Sequence, residues 1–133
     1  MSTHARKYHC SAVWLVAALL TLSALSAVAA NDKAFPAGTF RSEDALLTFA
    51  ADGKFRLEHN GSLLVNGRYR VEGDQVTFED EGGPMACDAG VAGRYRWTYD
   101  GKQIGFKAVE DGCTGRSMGM VRQWDVQQEA TKK

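Results

Sequence analysis

The chain has 133 residues, with 16 basic and 16 acidic side chains and a formal net charge of +0. Residues 1–30 contain two of those bases and no acid, so residues 31–133 carry 14 bases against 16 acids, a net charge of −2. That balance argues against a nucleic-acid partner, which usually requires a clear basic excess, and against electrostatic docking to an anionic membrane. Residues 31–133 are enough for one domain.

Residues 1–30 have the pattern of a secretory signal peptide. Arg6 and Lys7 precede an uncharged stretch at 11–30, and the small residues Ala27-Val28-Ala29 resemble a signal-peptidase cleavage site. The alternative is an uncleaved membrane anchor, because the stretch approaches the roughly 20 residues that span a bilayer. Its Ala, Ser and Thr content and its small-residue ending favour cleavage. We therefore expect a periplasmic or secreted protein with no membrane attachment once the leader is removed.

A short motif of glycine, any residue, an aromatic ring and arginine occurs three times, at 38–41, 67–70 and 93–96. Each copy is followed by a turn signal and a second apolar stretch that contains phenylalanine, at 47–49, 76–78 and 104–106. Because side chains alternate along a strand, each copy predicts a hairpin with the ring on one face and the guanidinium on the other.

Tight turns separate the strands that this repeat predicts. Asp52-Gly53 and Asn60-Gly61 are strong hairpin signals, and no helical periodicity follows residue 30. The pattern predicts eight strands, at 39–42, 45–50, 54–59, 63–71, 75–79, 94–99, 103–109 and 117–126. A lead-in segment at 31–37 precedes them. A polar tail at 127–133 follows, which we expect to be disordered.

These strands predict an all-β fold, an eight-stranded antiparallel up-and-down β-barrel that spans residues 38–126. Most connections are short, so strands adjacent in sequence should be adjacent in space. A Greek-key sandwich would need longer crossing connections, and only two loops could supply them. Closure into a barrel also removes two exposed strand edges.

Cys87 and Cys113 are the only cysteines after residue 30. In an exported chain such a pair is most simply a disulfide, which would stabilise the fold by roughly 3.5 kcal/mol on the chain-entropy model. Two free thiols or a metal pair are the alternatives, but further ligands are lacking, since His59 is the only later histidine and lies far away in sequence. We expect no metal and no other cofactor.

A disulfide here would also gather charged residues at one end of the barrel: Glu79, Asp80, Glu81, Asp88, Glu110 and Asp111, with Arg94 and Arg116 nearby. Such carboxylates could hold a hard cation such as calcium. Their spacing matches no calcium loop, so a solvated acidic rim with ion pairs to the arginines is the preferred interpretation. Cross-strand ion pairs are also expected for the arginines of the outer face, which are Arg41, Arg56, Arg68, Arg70, Arg94 and Arg96.

Large rings and thioethers dominate the face that the barrel would turn inward. Such side chains make adaptable apolar walls for a flat or apolar ligand, although ordinary core packing is the alternative for each of them. The predicted ligand-binding residues, at one mouth of the barrel, are Tyr69, Tyr95, Trp97, Met118, Met120 and Trp124. Rings that fill the lumen would exclude a ligand, and rings that only line it would admit one.

The start of the first strand, Gly38-Thr39-Phe40, resembles the Gly-x-Trp opening of lipocalins, with Phe in place of Trp. Arg122 on the last predicted strand resembles the arginine that packs across that opening ring. The chain is thus similar in pattern to the calycin group of small barrels, which includes lipocalins, avidin-like proteins and fatty-acid-binding proteins. It is shorter than typical lipocalins and lacks their C-terminal helix. The resemblance implies binding rather than catalysis.

No nucleophile with histidine and acid partners, no phosphate loop and no dinucleotide fingerprint can be assembled, so we expect no enzyme. The expected function is that of an exported, monomeric barrel that binds a small apolar or aromatic ligand. The alternative is an exported protein-binding module, such as an inhibitor of a protease or a cell-wall hydrolase, whose contact would be the loop at 82–86 with Met85 beside Cys87. A purely structural accessory domain is a third possibility.

Overall fold

Residues 34–128, which the computed structural model describes, form a closed barrel of antiparallel strands. The strands are β1 (Gly38–Ser42), β2 (Ala45–Phe49), β3 (Lys54–His59), β4 (Ser62–Glu72), β5 (Gln75–Gly82), β6 (Gly93–Tyr99), β7 (Gln103–Asp111) and β8 (Trp124–Val126). Each strand pairs with the next one in the chain, and β8 pairs back to β1. The predicted eight-stranded up-and-down barrel is therefore confirmed.

Alternation along each strand separates a ring-rich interior from a charged outer wall. On β6 the buried Tyr95 and Trp97 alternate with the exposed Arg94 and Arg96, as the repeated motif predicts. Tight turns keep the strands in register. Asn60 at the β3–β4 turn has a φ of 49°, a left-handed conformation that asparagine tolerates better than most residues.

The barrel interior is a packed aromatic core. Its fully buried side chains include Phe49, Phe78 and Tyr95, and neighbouring rings lie 5.0 to 6.4 Å apart between centroids, mostly edge to face. The lead-in segment takes part in this packing. Phe35 lies within 5.0 Å of Phe49 and 5.2 Å of Trp97, between ring centroids, and so closes the end of the barrel at which β1 begins.

The prediction that residues 117–126 form the last strand is wrong for most of that range. The chain instead forms a short helix, α1 (Thr114–Met120), and only Trp124–Val126 is a strand. Gly115 and Gly119 disfavour a helix intrinsically, so tertiary contacts decide the outcome. A helical turn directs Arg116 toward the barrel and buries Met120, which is 5% exposed. Met118 then points to solvent and is 69% exposed, rather than facing inward as a strand would place it.

The predicted signal peptide at residues 1–30 lies outside the described residues, and so do residues 129–133 of the predicted tail. Export and cleavage therefore stay predictions. Among residues 34–128, no helix has the length and apolar character needed to cross a membrane.

Candidate functional site

The candidate site is the end of the barrel that carries the disulfide, which we call the disulfide end. Cys87 and Cys113 are bonded, with their Cα atoms 6.0 Å apart, as the sequence predicts. The bond joins the segment between β5 and β6, residues 83–92, to the start of α1. We call residues 83–92 the disulfide loop.

A buried ion cluster lies beside the disulfide. The Arg116 guanidinium contacts Asp111 through Nε at 2.8 Å and Nη2 at 2.9 Å, and Asp80 through Nη1 at 3.1 Å. The side chains of Arg116, Asp80 and Asp111 are 6%, 1% and 0% exposed. The Arg116 Nη2 also donates to the Val91 carbonyl at 2.7 Å. We call Arg116, Asp80 and Asp111 the Arg116 cluster.

Further donors complete the hydrogen bonding of both carboxylates. The Cys87 amide donates to Asp80 at 2.7 Å, the Cys113 amide donates to Asp111 at 2.8 Å, and the Tyr95 hydroxyl also donates to Asp111. No buried polar side-chain atom among the described residues lacks a partner. The predicted ion pairs with arginine are present, but Asp80 and Asp111 are buried rather than part of a solvated rim.

Burial and the neighbouring hydrogen-bond donors shift the pKa of Asp111 in opposite directions. Burial would raise the pKa of Asp111, but the hydrogen bonds from Arg116, Tyr95 and the Cys113 amide outweigh it, and the pKa is lowered. Burial and the hydrogen bond to Asp111 raise the pKa of Tyr95. The cluster therefore holds the Asp111 carboxylate and the Arg116 guanidinium charged, and the Tyr95 phenol neutral, at physiological pH. Within residues 34–128 no group of three or more His, Cys, Asp or Glu residues is placed to hold a metal ion.

The disulfide loop presents one large apolar side chain to solvent. Met85 is 63% exposed, whereas its neighbour Ala86 packs against the core. The Met85 amide donates to the Leu64 carbonyl of β4 at 3.0 Å, so the backbone is fixed while the side chain projects.

The structure does not bring the six predicted ligand-binding residues to one mouth. Tyr95, Trp97, Trp124 and Met120 are buried in the core, and Met118 projects from α1 into solvent. Tyr69 is half-buried at the Phe35 end, where its hydroxyl donates to the Ala50 carbonyl at 2.6 Å. Their binding of a ligand stays a prediction.

Ion pairs cover the outer wall. Arg94–Glu110 and Arg96–Asp74 join different strands or turns at 2.8 Å each, as expected. Arg68–Glu81 at 2.5 Å also joins two strands. The other pairs join residues two positions apart in the chain rather than across the sheet: Arg56–Glu58 at 2.9 Å, Arg70–Glu72 at 3.1 Å and Lys54–Asp52 at 3.8 Å.

No family model, no curated protein and no solved structure matches this chain. The fold and the site therefore define its class: a small closed antiparallel barrel with one end fixed by a disulfide and a buried ion cluster. The calycin resemblance stays a prediction.

The sequence reasoning missed the burial of Arg116 and the role of Phe35. Gly93 is the available signal for the buried Arg116, although the repeated motif explains this glycine only as the start of a hairpin. A Cβ there would lie 2.2 Å from Asp111 Oδ2 and 2.7 Å from Arg116 Nε, so glycine leaves room for the Arg116 cluster. The signal for Phe35 is a single ring between polar and small residues, just before Pro36.

Proposed function

We propose that this protein is an exported, non-catalytic protein-binding module whose contact surface is the disulfide loop. The observation that carries the proposal is the exposed Met85 side chain on a loop whose backbone is anchored on both sides of it, at Met85 to Cys87 and at Val91. Methionine is enriched at protein interfaces and adapts its shape to a partner.

The first half of the loop is fixed against β4. Gly83 has a φ of 110°, and a Cβ there would lie 2.2 Å from the Leu64 carbonyl oxygen, so the backbones approach closely. The Met85 amide bonds to the same carbonyl, and the Ala86 amide donates to the Gly83 carbonyl at 3.2 Å. Pro84 restricts φ between them.

The second half of the loop is fixed to β5, to α1 and to Cys113 at the start of that helix. The Cys87 amide is bonded to Asp80, the Cys87 sulfur to Cys113, and the Val91 carbonyl to Arg116. A loop held in this way loses little conformational entropy when it docks, which favours its use as a rigid contact.

The packed interior supports this proposal over the predicted carrier. The rings of the core contact one another, and Phe35 closes one end, so most inward-facing side chains are already in contact with protein. A titration of the protein with an apolar fluorescent dye tests the prediction that the barrel carries a ligand. Saturable binding that changes the fluorescence of Trp97 would support that prediction.

Site-specific crosslinking in the export compartment tests the proposal. A photoreactive residue replaces Met85 or, as the control, the exposed Asp52 in the β2–β3 turn at the other end of the barrel. We expect a discrete adduct with the Met85 probe alone. Purified exported proteases and cell-wall hydrolases are then titrated with the protein, and Met85→Ser should weaken any inhibition by at least about tenfold. Equal crosslinking from both positions, or none from Met85, would rule the surface out.

A further inference from the structure

Helix α1 and its connection to β8, rather than a full-length strand, complete the closed barrel beside β7. Strand β8 pairs with β7 only at Gln103 and Ile104, because the chain preceding Trp124 is helix α1 and its connection rather than strand. Beyond Ile104, residues 105–111 have no strand partner on that side within the described chain. They remain paired with β6 on the other side, except Val109, which lies in a β-bulge.

The hydrogen-bond pattern identifies the backbone groups that this leaves open. The Gln103 carbonyl accepts from Asp100 on the β6 side, while the Lys102 carbonyl accepts from Val126 on the β8 side. Backbone groups alternate along an antiparallel strand, so Phe106 and Ala108 direct their amides and carbonyls toward the open side. Neither pairs with β8, and neither forms a backbone hydrogen bond to the turns or loops among the described residues. Such an edge can accept a further strand.

Apolar side chains surround this edge. Ala108 is exposed although it lies opposite the buried Tyr95, and Val109 is 46% exposed. Met118 and Val121, in α1 and its connection to β8, are 69% and 54% exposed. A groove of about 380 Å³ runs between β7, at 105–106, and the connection, at 121–123.

The positive charges at this edge are not neutralised by the protein. Lys107 and Arg122 take part in none of the ion pairs within residues 34–128, whereas five arginines of the outer wall do. Four acids are close to them in sequence or line the groove, and each is already engaged. These are Glu110 with Arg94, Asp111 with Arg116, Asp100 with two backbone amides at 2.7 and 2.8 Å, and Asp125 with the Gln123 amide at 3.4 Å.

We propose that the open edge of β7, residues 105–110, binds an extended acidic segment of a partner polypeptide as an added strand. The amides and carbonyls of Phe106 and Ala108 supply the main-chain hydrogen bonds, and the exposed apolar side chains receive alternate residues of the segment. Lys107 and Arg122 select acidic residues at the positions between. This surface is separate from Met85, so either can fail without the other.

Amide hydrogen exchange measured by NMR tests the edge directly. In the free protein the amides of Phe106 and Ala108 should exchange fast, whereas those of Gly105 and Lys107, which face β6, should be protected. The probe is a blocked peptide of about eight residues that alternates valine and glutamate, long enough to cover the edge. Its addition should slow exchange at Phe106 and Ala108 by at least about tenfold.

Matched controls separate strand addition from simple attraction of charge. The same peptide with lysine for glutamate, or with N-methyl groups on the residues that would bond to β7, should not protect either amide. Arg122→Gln should weaken binding by up to about fivefold, because its charge is exposed, and Met85→Ser should leave it unchanged. Phe106 and Ala108 amides already protected in the free protein, no protection at millimolar peptide, or equal binding of the N-methylated peptide would each overturn the proposal.

Discussion

Replacement of Arg116 by methionine is the sharpest test of how the disulfide end is held. Methionine retains much of the unbranched side chain but removes the guanidinium that neutralises Asp80 and Asp111. Asp111 keeps the Tyr95 hydroxyl and the Cys113 amide as donors, and Asp80 keeps one amide, but neither carboxylate keeps a cation in contact. The fold must then bury two uncompensated charges or open around them.

The size of the effect follows from burial. Removing one partner of a buried ion pair typically lowers the free energy of unfolding by about 3–5 kcal/mol, because the remaining charge is left desolvated. Both acids here are at most 1% exposed in their side chains, so only the hydrogen bonds that remain to them offset that penalty. For a domain of this size, a loss of about 3 kcal/mol lowers Tm by roughly 12–24 °C.

The dependence on pH changes sign in the Arg116→Met variant. In the parent the pKa of Asp111 is lowered, so its contribution is present above the unfolded pKa of about 3.9 and is lost as pH falls through the folded value. In the variant both contributions of Arg116 are lost. Burial, the largest influence on Asp111, is then opposed only by the hydrogen bonds from Tyr95 and the Cys113 amide, so we expect its pKa to be raised. The carboxyl then takes up a proton on mild acidification, and the free energy of unfolding rises as the pH falls.

Urea unfolding followed by the fluorescence of the buried Trp97 and Trp124 measures both effects. Arg70→Met is the matched control, because the Arg70–Glu72 pair is 69% and 76% exposed and should contribute less than about 1 kcal/mol. Arg116→Lys keeps the charge without the guanidinium fork and should fall between parent and methionine variant. The reasoning fails if Arg116→Met is no less stable than Arg70→Met, or if its free energy of unfolding does not rise on mild acidification.

Three other substitutions test the remaining supports. The double variant Cys87→Ser with Cys113→Ser should lose about 3.5 kcal/mol of unfolding free energy in urea, and an unchanged midpoint would contradict the loop-closure argument. Tyr95→Phe should lose about 1–2 kcal/mol at neutral pH. It should also show a flatter loss of stability above about pH 10, where the parent is destabilised because the pKa of Tyr95 is raised in the folded state; equal slopes at pH 9–11 would refute this. Phe35→Ala should lower the free energy of unfolding by about 2 kcal/mol, and a thermal melt equal to that of the parent would show that the lead-in segment is not part of the fold.

The barrel could be predicted from the sequence because its signals are local. Alternation of rings and arginines sets the two faces, and Asp52-Gly53 and Asn60-Gly61 set two of the turns. Most predicted strand bounds agree with the structure within a few residues. The disulfide could also be predicted, since Cys87 and Cys113 have no competing partner after residue 30.

The Arg116 cluster could not be predicted in the same way, because its members come from β5, β7 and α1. An aspartate at a strand end predicts a solvated carboxylate unless a buried cation is known to face it. Asp80 and Asp111 are 31 residues apart in the sequence. Only the closed barrel places both within reach of one guanidinium. Local alternation likewise predicts a strand for residues 117–126. The contact of Arg116 with Asp80 and Asp111 favours a helix there, and that contact cannot be seen in the local sequence.

Helix α1 replaces most of the expected last strand, and this has two consequences: Arg116 reaches its acids, and part of β7 does not pair with β8. A strand continuing from Trp124 toward residue 117 would pair with β7 and satisfy Phe106 and Ala108, but it would not carry Arg116 into contact with Asp80 and Asp111. Helix α1 makes that contact and leaves the edge of β7 open. The disulfide loop and the open edge therefore depend on the same local choice. A substitution that weakens α1 without touching the cluster, Gly119→Pro, should loosen the disulfide loop and weaken binding of the valine–glutamate peptide at β7. The control Ala51→Pro, in the β2–β3 turn at the opposite end of the barrel, should change neither, because proline is favoured at the second position of such a turn.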